Sequence, residues 1–535
     1  MNITVRELTP EFDNRGNPSW KTRLSPPDDS YALIKMIPDR IIPVIFVPGV
    51  MGSNLQGTGD SKGVQWLLDS EGGMGWDWAL ADKKHRKKHL TPSTMRVLDS
   101  GKIDPGQTGI PPEELKRRGW GEVGFMSYGA FLPWLEHVLN DFQNAEGGER
   151  AALRKSALQA LVDESPITET EFELSYKYRF PVYACGYNWL DSNAVAAQRL
   201  GECIDATIQR YRKQKMKCEK IIIVTHSMGG LVARHCSQVG GFRDKIFGVV
   251  HGVMPAIGAA VVYRRFKSGT EGPAGPAMVL GDNAAEMTAV LSTAPGPLQL
   301  LPTPEYGNGW LKIKDGAKEH SFPQNGDPYG EIYTVRGQWW SMAEDHLINP
   351  LNTEHDPKKR RAQMEADWKT FTDLCDKLVE PFHIEIKGQY HPNTHAFAGI
   401  DSKSKAYGTV SWIGNGGGWM RGDRAADVLG AKALDATEIN TTRTVAATLS
   451  GSGWLKAEHQ NYEISAPDED GDGTVPQRSG RAVRAACRSY AEMRVGHEPA
   501  YKLAEGAEYA RACRFTLRAI VKIAQEVQTT SLKYD

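Results

Sequence analysis

The clearest signal along the chain is a set of short apolar segments that carry no charge. Residues 41–47 and 246–250 are rich in β-branched side chains, and residues 221–224 are three isoleucines and a valine. Uncharged runs of this length predict strands that are buried on both faces of a sheet. Residues 180–184 predict a further strand, and residues 192–214 have the spacing of an amphipathic helix. This alternation predicts an α/β fold with a mostly parallel central sheet flanked by helices.

Two long segments interrupt the alternation of predicted strands and helices, and they divide the chain into parts. Between about residues 256 and 455, stretches rich in glycine and proline alternate with polar helical segments. The sheet pattern resumes near residues 462–465, and residues 509–527 predict an amphipathic closing helix. We therefore expect one core in three pieces, with two large insertions that form a cap or lid. The expected segments are an irregular lead-in at 1–29, core segments at 30–75, 176–255 and 456–535, and cap insertions at 76–175 and 256–455.

Charge and hydropathy exclude several classes of protein. The 535 residues include 64 Lys and Arg and 65 Asp and Glu, so the net charge is −1. This balance gives no broad positive field and excludes a nucleic-acid-binding protein that depends on phosphate contacts. The longest apolar run, residues 41–50, contains two prolines and is far shorter than the roughly 20 residues of a membrane helix. The first residues meet charge too early for a signal peptide, so we expect synthesis in the cytoplasm without one.

The cysteines also indicate a protein that is made in the cytoplasm. The seven cysteines form no Cys-x-x-Cys pair and are odd in number. Such usage is typical of a protein folded in a reducing cytosol, without a disulfide framework or a zinc site. We expect no metal and no cofactor.

The segment Thr225-His226-Ser227-Met228-Gly229 lies between a predicted buried strand and a predicted helix. Small residues two positions before and after a central serine are typical of a strained strand-to-helix turn that lifts a nucleophilic hydroxyl above the sheet. The following helix directs its N-terminal N–H groups at the site, where they favour developing negative charge. Residues 59–63 match Gly-x-Ser-x-Gly literally, but no apolar strand precedes them, so Ser227 is the predicted nucleophile.

A nucleophilic serine needs a histidine base and a carboxylate that orients the base. In α/β-hydrolases these residues follow in the order serine, carboxylate, histidine. The loop at residues 468–476 is acidic and glycine-rich, and by spacing alone Asp468, Asp470 or Asp472 could provide the carboxylate. His497 follows this loop, whereas His459 precedes it and breaks the order.

Five blocks occur in a familiar order: residues 43–55, residues 187–189, the Ser227 turn, Gly-Asp-Gly-Thr-Val-Pro at 471–476 and Gly-His at 496–497. Together they resemble the lecithin:cholesterol acyltransferase-like α/β-hydrolases, which include bacterial lipases and glycosylphosphatidylinositol-deacylase relatives. The matching blocks cover about a quarter of the chain, all within the expected core. The resemblance implies an α/β-hydrolase fold with a serine nucleophile.

The resemblance also assigns roles to individual residues. It implies that Asp472 is the acid, that His497 is the base, and that the N–H groups of Met51 and Met228 form the oxyanion hole. The chain departs from the family pattern in Thr225, where glycine is usual, in Asn188, where aspartate is frequent, and in lacking the cysteine pair of secreted animal enzymes.

The resemblance implies a serine ester hydrolase that acts on lipid acyl esters. Among such enzymes, the favoured one is a phospholipase A in peripheral contact with a membrane. Two alternatives stay open: an acyltransferase that uses the same acyl-enzyme, and a non-catalytic binding module on a hydrolase scaffold. A lipase core with large insertions and no signal peptide also resembles type VI secretion lipase effectors. That resemblance implies export to target-cell membranes and an immunity protein or secretion-machinery partner.

Three weaker signals remain. Residues 468–473 imitate the start of a calcium loop, but Ser479 stands where a bidentate glutamate is needed and Pro476 lies inside the loop. The basic cluster at 83–89 is compatible with contact to anionic headgroups, although a solvated face is the favoured reading. Residues 412–419, with two tryptophans around four glycines, indicate either a lid hinge or an ordinary flexible loop.

Overall fold

A computed structural model defines the fold for most of the chain. The described residues are 5–8, 11–13, 18–21, 31–34, 38–69, 78, 81–141, 167–271, 281–316, 318–414, 428–434, 442–448 and 457–534. Part of the predicted lid hinge, residues 415–419, lies outside them.

A six-stranded sheet forms the centre of the molecule. Its strands are β1 Val44–Val47, β2 Val182–Ala184, β3 Ile221–His226, β4 Ile246–Gly252, β5 Thr394–Gly399 and β6 Cys487–Met493. All neighbouring strands pair in parallel, in the spatial order β6-β5-β4-β3-β1-β2. Parallel pairing brings the carboxyl ends of all the strands to one edge of the sheet. The predicted parallel sheet is therefore present, and each of the four apolar segments supplies one of its strands.

Side chains alternate across the two faces of this sheet. Ile45 and Val47 of β1 pack in one apolar core, and Val44 and Phe46 pack in another on the opposite face. The first core includes helices α1 Asn193–Lys213 and α2 Gly229–Gln238, and the second includes α3 Ala507–Ala524. Burial on both faces explains why these strands read as uninterrupted apolar runs.

The structure differs from the expected division of the chain at two strands. β5 belongs to the central sheet, although it lies within residues 256–455, which we expected to form the cap. Its sequence, Thr-His-Ala-Phe-Ala-Gly, lacks a β-branched run, so the hydrophobic pattern does not reveal it. Conversely, residues 462–464, expected to resume the core, belong to strand Ala457–Ile464 of a second sheet.

The second sheet has six strands and mixed pairing. In spatial order these are Lys318–Phe322, Leu311–Asp315, Val410–Gly414, Ala457–Ile464, Thr442–Thr448 and Lys432–Ala433. Most of the sheet comes from the expected cap insertion at 256–455, and its inner face adds tryptophan and tyrosine side chains to the first apolar core. The insertion is therefore packed onto the central domain as a substantial second layer.

Smaller pairings join the other strands that the structure describes. Leu55–Gly57 pairs with Gln65–Trp66 and Met95–Val97, and Asp401–Ala406 pairs with Glu469–Gly471. The lead-in at 1–29, expected to be irregular, contributes the strands Val5–Leu8, Glu11–Phe12 and Pro18–Ser19, and Val5–Leu8 pairs with Tyr31–Ile34.

The described residues form further helices besides α1 to α3. They are Lys83–His89, Pro112–Arg117, Phe125–Tyr128, Phe131–Leu139, Glu169–Ser175, Val261–Ser268, Ala284–Leu291, Pro295–Leu298, Asp345–Ile348, Pro357–Leu374, Glu380–Ile386 and Gln477–Arg481. Within the described ranges, no helix combines the length and apolarity that crossing a bilayer requires.

Candidate active site

Ser227 occupies the sharp turn between β3 and α2. Its φ angle is +51°, a left-handed conformation that non-glycine residues rarely adopt and that marks local backbone strain. Gly229 makes this turn possible, because a Cβ there would lie 2.5 Å from the backbone oxygens of Val47 and Pro48. The tight approach between β1 and the start of α2 holds the serine above the carboxyl end of β3.

Two of the three departures from the family pattern, Thr225 and Asn188, have local explanations. The hydroxyl of Thr225 is buried and lies 2.9 Å from Nδ1 of His251 on the neighbouring strand, so the larger residue is accommodated by a hydrogen bond. The side-chain amide of Asn188 donates to the backbone oxygens of Pro92 and Met95, at 2.9 and 3.0 Å. A carboxylate could not make these two donations, and therefore asparagine fits this position better than aspartate.

Ser227, His497 and Asp472 form a continuous chain of hydrogen bonds. Nε2 of His497 lies 2.8 Å from Oγ of Ser227, and Nδ1 of His497 lies 2.8 Å from Oδ2 of Asp472. A carboxylate only accepts hydrogen bonds, so Nδ1 carries the proton and Nε2 keeps a lone pair directed at the serine hydroxyl. In this tautomer His497 can take a proton from Ser227.

The acidic loop holds the Asp472 carboxylate in place from its other side. Oδ1 of Asp472 accepts hydrogen bonds from the backbone N–H groups of Thr474 and Val475, at 3.0 and 2.7 Å. The backbone N–H of His497 donates to the carbonyl oxygen of Asp472 at 2.8 Å. These bonds fix the rotamer of Asp472 and keep its second oxygen free for the histidine.

The other two carboxylates that the spacing left open face elsewhere. Asp468 accepts hydrogen bonds from the N–H groups of Gly408 and Thr409, each at 2.9 Å. Asp470 pairs with Lys405 at 2.6 Å. Of the three aspartates, the structure brings Asp472 to His497.

The other serine and histidine considered from the sequence, Ser61 and His459, lie in surroundings that do not suit catalysis. Ser61 of the literal Gly-x-Ser-x-Gly segment is buried in the 3₁₀ turn Gly59–Ser61, where its Oγ lies 2.8 Å from Nδ1 of His89. That turn joins no strand to a helix, so Ser61 does not lie at a strand-to-helix elbow. His459 has an exposed side chain on strand Ala457–Ile464 of the second sheet.

The two residues predicted to form the oxyanion hole lie on opposite sides of Ser227 in sequence. Met51 has a φ angle of +65° and lines the cavity beside Ser227. Met228 directly precedes α2, and its side chain is buried in the first apolar core. Neither backbone N–H has an acceptor among the residues that the structure describes. Both groups therefore keep their donor capacity available for a ligand.

A cavity of about 340 Å³ opens beside Ser227 and His497. Apolar side chains form most of its wall, among them Leu68, Pro255, Ala259, Val261, Val262 and Leu300. Arg265, Ser127 and Glu498 provide polar groups on the same wall. A mostly apolar pocket with a few placed polar groups is the usual form of a site for a small, largely hydrophobic ligand.

Helix Phe125–Tyr128 contributes to this site, although it lies in the segment expected to form part of the cap. Oγ of Ser127 donates to Oε1 of Glu498 at 2.8 Å, and the hydroxyl of Tyr128 accepts from the N–H of Gly49 at 3.1 Å. No local motif marks these residues, because their partners lie 371 and 79 positions away in the sequence.

The weaker sequence signals have structural explanations. The basic cluster forms helix Lys83–His89, in which Arg86 is buried and donates to the carbonyl oxygen of Trp78. Trp412 is buried in the second sheet, with its indole N–H 2.9 Å from the hydroxyl of Tyr263, so it is no exposed aromatic tip. In the described part of the chain, no group of three or more His, Cys, Asp or Glu residues is arranged to hold a metal ion.

Comparisons with known proteins bear on the fold that carries this site. The family model described as the PGAP1-like α/β domain matches residues 189–262, which span β3, the Ser227 turn, α2 and β4. A solved chain from "The crystal structure of Tle4-Tli4 complex" superposes with a TM-score of 0.72 and 28% sequence identity, covering 90% of this chain and 98% of that chain. A search of curated proteins gives no match.

The matched family segment includes Ser227, and the superposition extends over most of the chain. They support an enzyme of the esterase or lipase type in general. The resemblance inferred from the sequence motifs is thereby confirmed: the chain has an α/β-hydrolase fold, matches the PGAP1-like α/β domain over residues 189–262 and is similar to a chain of the Tle4-Tli4 complex.

Proposed function

We propose that this protein is a serine carboxylic-ester hydrolase in which Ser227, His497 and Asp472 act as a catalytic triad. The observation that carries the proposal is the continuous hydrogen-bonded chain of these three residues at the wall of an apolar cavity. The non-catalytic alternative is disfavoured, because a binding module would have no need of a strained serine aligned with a histidine and a buried carboxylate.

In the proposed reaction, Oγ of Ser227 attacks the ester carbonyl carbon while Nε2 of His497 takes the hydroxyl proton. Asp472 keeps His497 in the correct tautomer and stabilises the imidazolium that forms. The tetrahedral intermediate collapses, and the leaving alcohol takes its proton from Nε2 of His497. Water then attacks the acyl-enzyme, with His497 again as base, and releases the free acid and the serine hydroxyl.

We further propose that the N–H groups of Met51 and Met228 bind the oxyanion of each tetrahedral intermediate. The support is that both donors are unused by the described residues and that Met228 directly precedes α2. The partial positive charge at a helix N-terminus favours developing negative charge. In other enzymes a single donor of this kind contributes about 3 kcal/mol of transition-state stabilisation.

The proposed substrate is a lipid acyl ester, and among lipid esters we propose a phospholipid. The apolar wall around Val261, Val262 and Leu300 suits an acyl chain, since burial of methylene groups drives binding. Arg265 brings a guanidinium group to the same wall, where it pairs with Glu271 at 3.0 Å. A guanidinium in that position suits the phosphate of a phospholipid headgroup. The proposed activity is thus that of a phospholipase A.

The solved neighbour is part of a two-protein complex, the Tle4-Tli4 complex. We propose by analogy that this chain is a secreted effector, exported by a specialised secretion system to act on target-cell membranes. An immunity protein that binds the effector would be its partner. Co-purification with the product of a neighbouring gene tests this assignment, and a stable complex that suppresses lipid hydrolysis would support it.

Product analysis of lipids tests the proposed activity directly. Wild type and Ser227→Ala protein are each incubated with vesicles of mixed phospholipids, and the products are identified by mass spectrometry. We expect fatty acid and lysolipid from wild type alone, with the retained acyl chain giving the position cleaved. Acyl transfer to an added alcohol in preference to water would instead identify an acyltransferase. Release of the same products by Ser227→Ala would contradict the proposal.

A further inference from the structure

The residue next to the nucleophile, His226, joins three separate parts of the candidate site. We propose that His226 and Tyr128 are positioning residues. They hold the Gly49–Met51 loop and the loop of His497 in the places that both loops occupy beside Ser227. The inference rests on the proposed function, since it assigns to these residues the alignment of that catalytic machinery. Neither residue is expected to touch the reacting atoms.

The connection runs through four consecutive groups. The N–H of Gly49 donates to the hydroxyl of Tyr128 at 3.1 Å, and this hydroxyl lies 2.9 Å from Nδ1 of His226. On the other side of the ring, Nε2 of His226 lies 2.8 Å from the carbonyl oxygen of His497. One end of this chain is therefore the loop that carries Met51, and the other end is the backbone of the base.

The partners of His226 determine where each proton lies. The carbonyl oxygen of His497 only accepts, so Nε2 of His226 must carry hydrogen. In neutral imidazole the other nitrogen then accepts, and Tyr128 donates its hydroxyl hydrogen to Nδ1. The oxygen of Tyr128 in turn accepts the N–H of Gly49. Each group has one role that it can fill, so the arrangement selects one tautomer and one hydroxyl orientation.

Burial keeps His226 in this neutral form. Removal from water, together with the nearby His497, lowers the pKa of His226 to about 4, and burial is the larger cause. During the proposed reaction His497 becomes an imidazolium, and its ring centroid lies 5.5 Å from that of His226. A neutral His226 can hold the backbone of His497 at this distance without repelling the positive charge.

Packing leaves His226 little freedom to move. A Cβ added to Gly49 would lie 2.9 Å from Nδ1 of His226 and 3.1 Å from Cβ of Ser227, so the loop contacts both residues directly. His226 and Tyr128 are also almost fully buried. A second hydrogen bond, from Ser127 to Glu498, joins the same two segments at the cavity wall. The helix of Tyr128 and the loop of His497 are thus fixed to each other twice.

Alignment of this kind matters because displacement of reacting groups by about 1 Å can reduce a rate by about 10²-fold. His226 controls the position of the base through its backbone, and Tyr128 controls the loop of the oxyanion donor. Loss of either contact should slow the chemical step while leaving the apolar wall that binds the substrate intact. The expected signature is a lower kcat with little change in KM.

Three substitutions separate the contacts. In His226→Gln the side-chain amide nitrogen can replace Nε2 and keep the bond to His497, whereas His226→Asn can replace only Nδ1. Tyr128→Phe removes the link to Gly49 and to His226 together. We expect kcat to fall about 10- to 100-fold in His226→Asn and Tyr128→Phe, with KM changed less than about threefold and partial rescue in His226→Gln.

The matched control is His395→Asn. His395 is also a buried histidine with a lowered pKa and two side-chain partners, Ser489 and Asn393, but it lies on β5 and does not line the cavity. Thermal unfolding of all variants separates loss of alignment from loss of stability. Wild-type kcat in His226→Asn and Tyr128→Phe, or an equal fall in His395→Asn at matched stability, would overturn the inference.

Labelling of Ser227 by a fluorophosphonate distinguishes this inference from the proposed function. The reagent reports activation of the serine without requiring any particular substrate. Labelling of wild type that slows in His226→Asn and recovers in His226→Gln would support the inference. Labelling at the wild-type rate in all variants would overturn the inference alone, whereas an unlabelled wild type would overturn the proposed function and the inference with it.

Discussion

Oγ of Ser227 lies 2.8 Å from Nε2 of His497, although 270 positions separate the two residues in the chain. Ser227 is held by the turn after β3, whereas His497 lies on a loop after β6, at the far side of the sheet order. The parallel sheet makes the contact possible, because it brings the ends of both strands to the same edge. The hydrogen bond from the backbone N–H of His497 to the carbonyl oxygen of Asp472 then helps to fix the position of the imidazole.

Replacement of the serine tests the centre of this arrangement. In Ser227→Ala we expect hydrolysis of esters to fall by about 10⁴-fold or more, since the nucleophile is lost while the oxyanion donors remain. Circular dichroism and thermal unfolding should show a folded protein, because alanine keeps the Cβ of serine and removes only the hydroxyl. Turnover close to wild type in a folded variant would contradict the role of Ser227.

The choice among the three aspartates can be tested by matched substitutions to asparagine. Asp472→Asn should lower kcat by about 10⁴-fold, because an amide at this position favours the wrong tautomer of the histidine. Asp468→Asn removes the negative charge but keeps a side-chain oxygen that can accept from the backbone N–H groups of Gly408 and Thr409, so stability should change by about 1 kcal/mol or less, with little effect on kcat. Equal losses of kcat in the two variants would argue against Asp472 as the acid.

His459 provides a control for the base. Its side chain is exposed on the second sheet, so His459→Ala should retain nearly full activity, whereas His497→Ala should lose at least about 10³-fold. Initial rates on a short soluble ester measure both variants without the complication of a lipid surface. A collapse of activity in His459→Ala would show that the second sheet takes part in the reaction.

Arg265 offers a test of the preference for phospholipids. Arg265→Gln removes the guanidinium charge from the cavity wall and should raise KM for an anionic phospholipid about tenfold, with less effect on an uncharged acylglycerol. The comparison of the two substrates on the same variant provides the control. An identical rise in KM for both lipids would indicate that Arg265 supports the cavity without contacting a phosphate.

Acid should destabilise the protein through its buried histidines. Burial lowers the pKa of each of five histidines to between about 3 and about 4: His226, His251, His383, His391 and His395. The unfolded chain binds protons below its ordinary histidine pKa of 6.5, whereas the folded chain does not. Stability is therefore full above about pH 6.5 and falls as the pH drops toward 4, by up to about 1.4 kcal/mol per pH unit for each histidine.

Urea unfolding at several pH values between about 7.5 and about 5 measures this slope. His395→Asn should reduce the slope, since it removes one of the groups that the unfolded chain protonates. A free energy of unfolding that stays constant across this range would contradict the burial of these histidines in neutral form.

The sequence alone determined those features that depend on neighbours along the chain. The parallel sheet was predictable because strands β1 to β4 are buried on both faces and hence read as apolar runs. The Ser227 turn was predictable because its strain requires small residues at fixed positions on either side. The spacing of chain segments also placed His497 after the acidic loop, which is why the proposed base could be chosen over His459.

Only the tertiary structure decided the features that depend on residues distant in sequence. β5 was missed because its polar side chains find partners on adjacent strands, such as Ser489 for His395. Spacing alone did not distinguish Asp468 from Asp472, since both lie in one short loop; the family resemblance implied Asp472, and the hydrogen-bond partners in the structure support that choice. Tyr128 gave no signal at all, because its hydroxyl acquires its role only when folding brings His226 and Gly49 to it. Local strain and burial can be predicted from short sequence patterns, because they depend on neighbouring residues. Hydrogen-bond partners cannot, because they depend on how the whole chain packs.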